Sequence, residues 1–219
     1  MRVLDKLNQR LKIFKSEPIQ WALYLTYLWL KNKIRSAYYA NLLNAPALNI
    51  GSGCSIKGLR HIKIGRNVSI YGGLWLEALN NYRGHSFDPR ISIGDGVAFS
   101  KDVHVSCIKS IAIGNNVLFG SRVYVSDHNH GRYEGFNQSD PRAAPAEREL
   151  ALGGSVVIEE NVWIGENVVI LGPARIGAGS VVAANSVVKG DIPTATMVAG
   201  APAKPIKRFD SEMKIWKTI

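Results

Sequence analysis

The sequence predicts an all-β chain wound as a parallel β-helix of triangular coils, with a short helical segment ahead of it and an extended or helical tail behind. Two observations predict this. Aliphatic or aromatic residues recur six apart through the middle of the chain, and glycine, asparagine or small residues fall at fixed offsets between them. A third observation, two long segments where the period fails, says where function should be sought, because excursions from a rigid scaffold usually carry it.

The period runs through Ile50 and Ile56, Ile64 and Ile70, Ile93, Phe99 and Val105, then Ile113, Phe119 and Val125. From Ile158 it continues unbroken through Ile164, Ile170, Ile176, Val182 and Val188. Glycine often follows the marked residue, as at Gly51, Gly94, Gly120 and Gly165. A small or β-branched residue often sits four after it, as at Val68, Val97, Val117, Val162, Ser180 and Ser186. Neither the helical period nor plain alternation gives this spacing. Short repeats of fixed period signal a parallel β-helix. Each repeat supplies a flat strand and a corner, and the marked residue and the one four after it both point inward. Three repeats close a coil, and each coil hydrogen-bonds to the next. Asn67, Asn115, Asn116, Asn161 and Asn167 fall where corners should be, a position that suits a residue tolerant of positive φ. Val105 and Ile113 are eight apart, so Ile113, Phe119 and Val125 each stand 20 after Ile93, Phe99 and Val105 and should stack on them.

Taken in order, residues 1–45 form the N-terminal helical segment. The apolar run "IQWALYLTYLWL" (19–30) has Pro18 at its start and Lys31, Lys33 and Arg35 suited to its end. At 12 residues it is shorter than the roughly 20 a bilayer span needs. No cleavage site follows it, so a signal peptide is not expected. The segment 19–35 can pack on the main domain or a neighbouring subunit, or lie on a membrane surface. Residues 46–200 form the coil, with excursions at 74–90 and 126–155. Residues 201–219 form a basic tail.

Charge is concentrated at the ends. The net formal charge is +10, but residues 1–45 hold eight Lys/Arg against two Asp/Glu, and residues 201–219 hold five against two. No zinc-finger, RRM or helix-turn-helix pattern accompanies the basic residues, so nucleic acid is not the expected partner. An anionic membrane surface or an acidic partner fits better. Two cysteines, Cys54 and Cys107, imply no disulfide framework. Cytoplasmic residence is expected, with contact at the inner face of the membrane as an option.

The second excursion opens with "SDHNHG" (126–131), which places His128 and His130 one residue apart beside Asp127. Residues of these types can be metal ligands, a catalytic base with a helper, or polar turn residues. Asp127 can orient a histidine ring or form an Asx-turn. His104 precedes the inward Val105 and so points outward. The 20-residue stacking puts it one coil below Tyr124, either on the floor of the cleft that His128 would border or on a surface or subunit contact.

The run "VVIEENVWIGENVVILGPARIGAGSVVAANSVVKGDIPTATMVAGAPAKPIK" (156–207) resembles the final coils and tail of the hexapeptide-repeat acyltransferases. "VSDHNHG" resembles the loop that opens with the catalytic histidine in their sugar O-acetyltransferase branch, closer to enzymes of bacterial polysaccharide assembly than to serine acetyltransferases. The resemblance implies a left-handed coil, a homotrimer with active sites between subunits, and acetyl transfer from acetyl-CoA to a sugar or glycan hydroxyl. It implies His128 as general base, chemistry that suits an imidazole, with no metal required. His130, Asp127, His104 and Tyr124, with Glu77, Tyr82, His85 and Asp88 from the first excursion, are then candidate acceptor contacts. For the donor it implies backbone contacts at Ala184 and Ser186, Trp163 beside the pantetheine or acceptor cleft, and Lys204, Lys207 and Arg208 near the phosphates. The lysine usual after "SVV" stands one position early here, at Lys189. Other readings are transfer to an antibiotic or amino-sugar amine, a non-catalytic scaffold, and a γ-type carbonic anhydrase. The last would call for a histidine where Tyr133 stands.

Overall fold

The computed structural model describes residues 14 and 16–219, and in it a helix leads into three stacks of parallel strands that the chain visits in rotation. The first stack runs from Asn49–Ile50 through Ser69–Gly72, Ala98–Lys101, Leu118–Phe119, Trp163–Ile164 and Val181–Val182 to Thr196–Ala199. The second includes Ser55–Lys57, Trp75–Ala78, His104–Cys107 and Tyr124–Ser126, and the third Ile62–Ile64, Arg90–Ile93, Ser110–Ile113 and Val156–Ile158. The strands Val169–Ile176 and Val187–Ile192 each turn a corner and join the second stack to the third. This is a curled parallel sheet closed around one core.

The register follows the spacing in the sequence. Ile93 pairs with Ile113, Phe99 with Phe119 and Val105 with Val125. The marked residues and the β-branched residues four after them fill the interior, while Ile56, near the open end, is only partly buried. The rings of Phe99 and Phe119 stack at 4.7 Å. At the corners Asn67, Asn116, Asn161 and Asn167 adopt left-handed φ between 55° and 58°. Asn115 is different: its side-chain oxygen accepts the Asp95 N–H at 2.8 Å and ties two coils together. The glycine after a marked residue is required by close approach, since a Cβ on Gly120 would stand 2.6 Å from the Glu166 nitrogen.

Two expectations are corrected. The helix, α1, spans Ile19–Leu42, so Lys31, Lys33 and Arg35 lie within it and not at its end. Nothing between Ser36 and Leu42 is a glycine or proline that would stop it. It is anchored where Ser36 Oγ accepts the Ile50 N–H at 3.0 Å and Asn32 Nδ2 donates to Asn49 Oδ1 at 3.1 Å. The first excursion is shorter than 74–90. Leu76 lies six after Ile70, is fully buried, and pairs with Ile56 below and Val105 above, so the coil holds through Ala78. Only a hairpin of Asn81–Tyr82 and His85–Ser86 projects. Of the two forms expected for the tail, the structure has the extended one. Lys204–Asp210 runs antiparallel to Thr196–Ala199, and Ile215–Thr218 adds outside it, which pairs the last edge of the first stack. The second excursion is an arm whose base is the antiparallel pair His128–His130 and Leu150–Leu152.

Candidate active site

Val125 is the last inward residue before the chain leaves the coil, and the next three residues do different work. Asp127 is fully buried. Its Oδ1 accepts the Ile108 N–H at 2.9 Å, and its Oδ2 accepts the N–H groups of Lys109 and Ser110 at 2.8 Å each and the Cys107 thiol at 3.2 Å. Burial works to raise the carboxyl's pKa, but the hydrogen bonds from His128, Ile108, Lys109 and Cys107 prevail and hold it below the ordinary carboxylate range. The Cys107 thiol is pushed up by burial, by the Asp127 charge and by the bond to it.

His128 Nδ1 lies 3.0 Å from Asp127 Oδ1. An ionised carboxylate only accepts, so Nδ1 carries the proton in this pair. The neutral ring therefore keeps its lone pair on Nε2. The main chain that carries the ring is held by Ser126, whose hydroxyl donates to the His128 carbonyl at 2.9 Å and accepts the His128 N–H at 3.2 Å. An oriented imidazole with a free Nε2 and a buried carboxylate behind it can take a proton and tolerate the positive charge that results.

His128 borders a cavity of about 400 Å³ whose walls also include Trp75, Glu77, Tyr82, His104, Tyr124 and His130. His104 pairs with Trp75 and Tyr124 on either side. Its ring stacks on Trp75 at 4.1 Å and lies 5.1 Å from Tyr124. Glu77 is buried at the same floor. It accepts from Trp75 Nε1 at 2.8 Å and Ser106 Oγ at 2.9 Å, and lies 3.4 Å from His104 Nε2. The two excursions meet over the cavity. Tyr82 donates to the Ala146 carbonyl at 2.9 Å, its ring meets His130 edge-on at 5.5 Å, and His85 Nε2 lies 3.2 Å from Glu149 Oε1.

Asp127 and Asp88 stand away from the cavity, and the donor candidates lie on other surfaces. Asp127 is enclosed and reaches His128, not the cavity. Asp88 is drawn to Arg90 Nη2 at 2.8 Å, because the hairpin ends before it. Lys189 reaches Glu134 at 3.5 Å on the other side of the arm, in a separate cleft with Arg132 and Tyr133. The Ser186 side chain is fully buried, and its hydroxyl accepts the Gly200 N–H, as its inward place in the repeat requires; the donor contact expected of it is by its backbone. Lys204 stands exposed on the tail strand, whereas Lys207 of that strand pairs beside Met197. Trp163 and Ala184 do come together. They line a groove of about 540 Å³ on the first stack with Leu118, Gly165 and Met197. Trp75, Ser106 and Ser126 were missed by sequence reasoning. The signal for Trp75 was present: it precedes Leu76, which continues the period from Ile70. Among the described residues, no group of three or more His, Cys, Asp or Glu is placed to hold a metal ion.

Comparison with known proteins fits this geometry. Residues 155–190 match the model of the bacterial transferase hexapeptide (six repeats) family. WbbJ of Escherichia coli (strain K12), named as a lipopolysaccharide biosynthesis O-acetyl transferase, is 40% identical over 167 residues, which is 75% of this chain and 80% of that protein. A hexapeptide-repeat acetyltransferase of Vibrio cholerae O1 biovar eltor, solved with acetyl coenzyme A, is 26% identical with a TM-score of 0.52, covering 81% of this chain and 79% of that one. AntD, an N-acyltransferase of Bacillus cereus solved with dTDP and coenzyme A, shares the fold at 20% identity and a TM-score of 0.59, covering 77% and 85%. With the repeat, the coil and a relative matched over most of its length, the chain belongs to the hexapeptide-repeat acetyltransferases, enzymes that take their acetyl group from acetyl-CoA.

Proposed function

We propose that this protein transfers acetyl from acetyl-CoA to a sugar hydroxyl in the assembly of a bacterial surface polysaccharide, with His128 as general base. The observation that carries the reading is the Asp127–His128 pair at 3.0 Å on the wall of a cavity floored by Glu77, His104 and Tyr124. Polar and aromatic groups at this density suit a sugar, which offers hydroxyls and an apolar ring face. The similarity to WbbJ supports a hydroxyl acceptor of glycan type. The coil is left-handed in this reading. The protein is a cytoplasmic homotrimer in which a neighbouring subunit completes each site, and the groove beside Trp163 and Ala184 takes the donor.

The step begins when Nε2 of His128 takes the acceptor hydroxyl proton. The oxygen attacks the thioester carbonyl carbon and the C–S bond breaks from the tetrahedral adduct. The departing thiolate then recovers the proton from the imidazolium. Asp127 stabilises that imidazolium and keeps Nε2 turned to the cavity. The test is acetyl-CoA turnover by His128→Ala against a panel of nucleotide sugars, lipid-linked glycans and free sugars. Loss of roughly 10²–10⁴ in rate is expected, the usual worth of a general base, with oligomeric state unchanged. Normal turnover by the variant ends the assignment of His128, and turnover with amines alone ends the assignment of a hydroxyl acceptor.

A further inference from the structure

The helix α1 carries an apolar stripe that the coil does not cover. Ile19, Leu23, Tyr27, Leu30, Ile34 and Tyr38 are between 53% and 66% exposed. At 3.6 residues per turn these six positions fall within about 100° of arc, a single stripe running the length of the helix. The helix touches the coil by the opposite side. Asn32 and Ser36, which bond to Asn49 and Ile50, and Tyr39, which packs against the core, lie roughly 150–210° from the middle of the stripe. Over the C-terminal half of the helix the stripe therefore faces away from the coil; nearer the N-terminus the apolar surface broadens to include Trp21, Tyr24 and Leu28, which are between 40% and 48% exposed.

The charges bracket this stripe. Lys31 follows one edge and Lys33 the other, each about 20–40° outside it, with Arg35 further round beyond Lys31. The helix contains three basic residues and no acidic one. The lysine ammonium groups lie back over aromatic rings, Lys31 at 5.9 Å from Tyr27 and Lys33 at 6.0 Å from Trp29. No described helix is long and apolar enough to cross a membrane.

We propose that α1 lies in the plane of an anionic lipid surface, with the stripe in the acyl boundary and Lys31, Lys33 and Arg35 at the phosphate level. Charge complementarity decides this occupant. A second copy docking by the same stripe would align lysines on both edges of the seam with no carboxylate on either helix to meet them. A layer of anionic headgroups supplies the missing partner on both edges at once. Tyr27 and Tyr38 suit the same depth, since each has an apolar ring and a polar tip. The inference does not depend on the acceptor assigned above.

The test is sedimentation of the full chain with vesicles of phosphatidylcholine alone or with about one-third phosphatidylglycerol, a content that makes the surface strongly anionic. Binding to the anionic vesicles alone, weakened by salt, is expected. The variant Lys31→Gln/Lys33→Gln/Arg35→Gln should partition about 100-fold less well, from about a fivefold contribution per basic residue, with its thermal unfolding unchanged. Should that variant unfold, the salt dependence of the unmodified chain decides. Failure to bind anionic vesicles, or equal binding to neutral ones, overturns the proposal. So does an oligomer that Leu23→Glu/Leu30→Glu dissociates while vesicle binding persists, since the stripe would then belong to a second copy. Acetyl-CoA turnover on a water-soluble acceptor, followed in parallel, separates loss of lipid binding from failure of the transferase reading.

Discussion

Asp127→Asn isolates what the buried carboxylate does. The side chain keeps its shape, but one of its two oxygens becomes a donor. If the NH₂ replaces Oδ2, it faces three donors: Lys109 N–H, Ser110 N–H and Cys107 Sγ. If it replaces Oδ1, it faces Ile108 N–H and His128 Nδ1. The second arrangement is cheaper, because His128 can change tautomer and accept at Nδ1, which leaves only the Ile108 N–H unsatisfied. One buried unpaired donor costs about 1–3 kcal/mol, and two backbone bonds falling from charge-assisted to neutral cost about 1 kcal/mol each. The expected loss is therefore about 3–5 kcal/mol of stability. The tautomer change moves the ring proton to Nε2, so the base is blocked. A rate loss of roughly 10²–10⁴ follows. Urea unfolding measures the first quantity, and thiol release from acetyl-CoA at saturating acceptor measures the second. The pH dependence gives an independent reading. A carboxyl whose folded pKa lies below its unfolded value contributes fully above the unfolded pKa of about 3.9 and loses that contribution as pH falls through the folded value. The unmodified protein should therefore lose stability below about pH 4, and the Asn variant should lack that share of the loss. A folded variant within about threefold of normal turnover, well short of the effect of losing a base, would refute the role given to Asp127.

Two further outcomes test the cavity and the core. Glu77→Gln removes the charge that Ser106 and Trp75 donate to and that faces His104. It should raise KM for the acceptor about tenfold, one lost charge-assisted contact, with KM for acetyl-CoA unchanged. A shift confined to the donor's KM would place Glu77 outside the acceptor site. Phe119→Ala opens a void against Phe99 in the fully buried interior. A destabilisation of about 3–5 kcal/mol is expected in urea unfolding, and a value under about 1 kcal/mol, ordinary for a surface change, would contradict the packing described.

The coil was legible because its period is a one-dimensional property. Each inward position must be apolar wherever the chain lies, so Ile93, Phe99 and Val105 announce both their burial and their partners 20 residues on. The same spacing placed His104 beside Tyr124. At Leu76 the period from Ile70 continues, so Trp75 belongs to the coil and the excursion begins only after Ala78. The end of α1 is not encoded by Lys31, Lys33 and Arg35, because basic residues suit a helix end without enforcing one.

The sequence by itself determined the repeat, the register of its coils, and the point at which "SDHNHG" leaves them. It did not determine which neighbour each polar group would meet. Asp127 could orient a histidine ring, form an Asx-turn or meet the acceptor; it is enclosed by Ile108, Lys109 and Ser110 from the coil below and reaches His128. Lys189, expected near the donor, meets Glu134 from the arm. Such pairings join residues far apart in sequence through distances of about 3 Å, and no period encodes them. Only the folded chain brings the arm over His128 and sets its Nδ1 against Asp127.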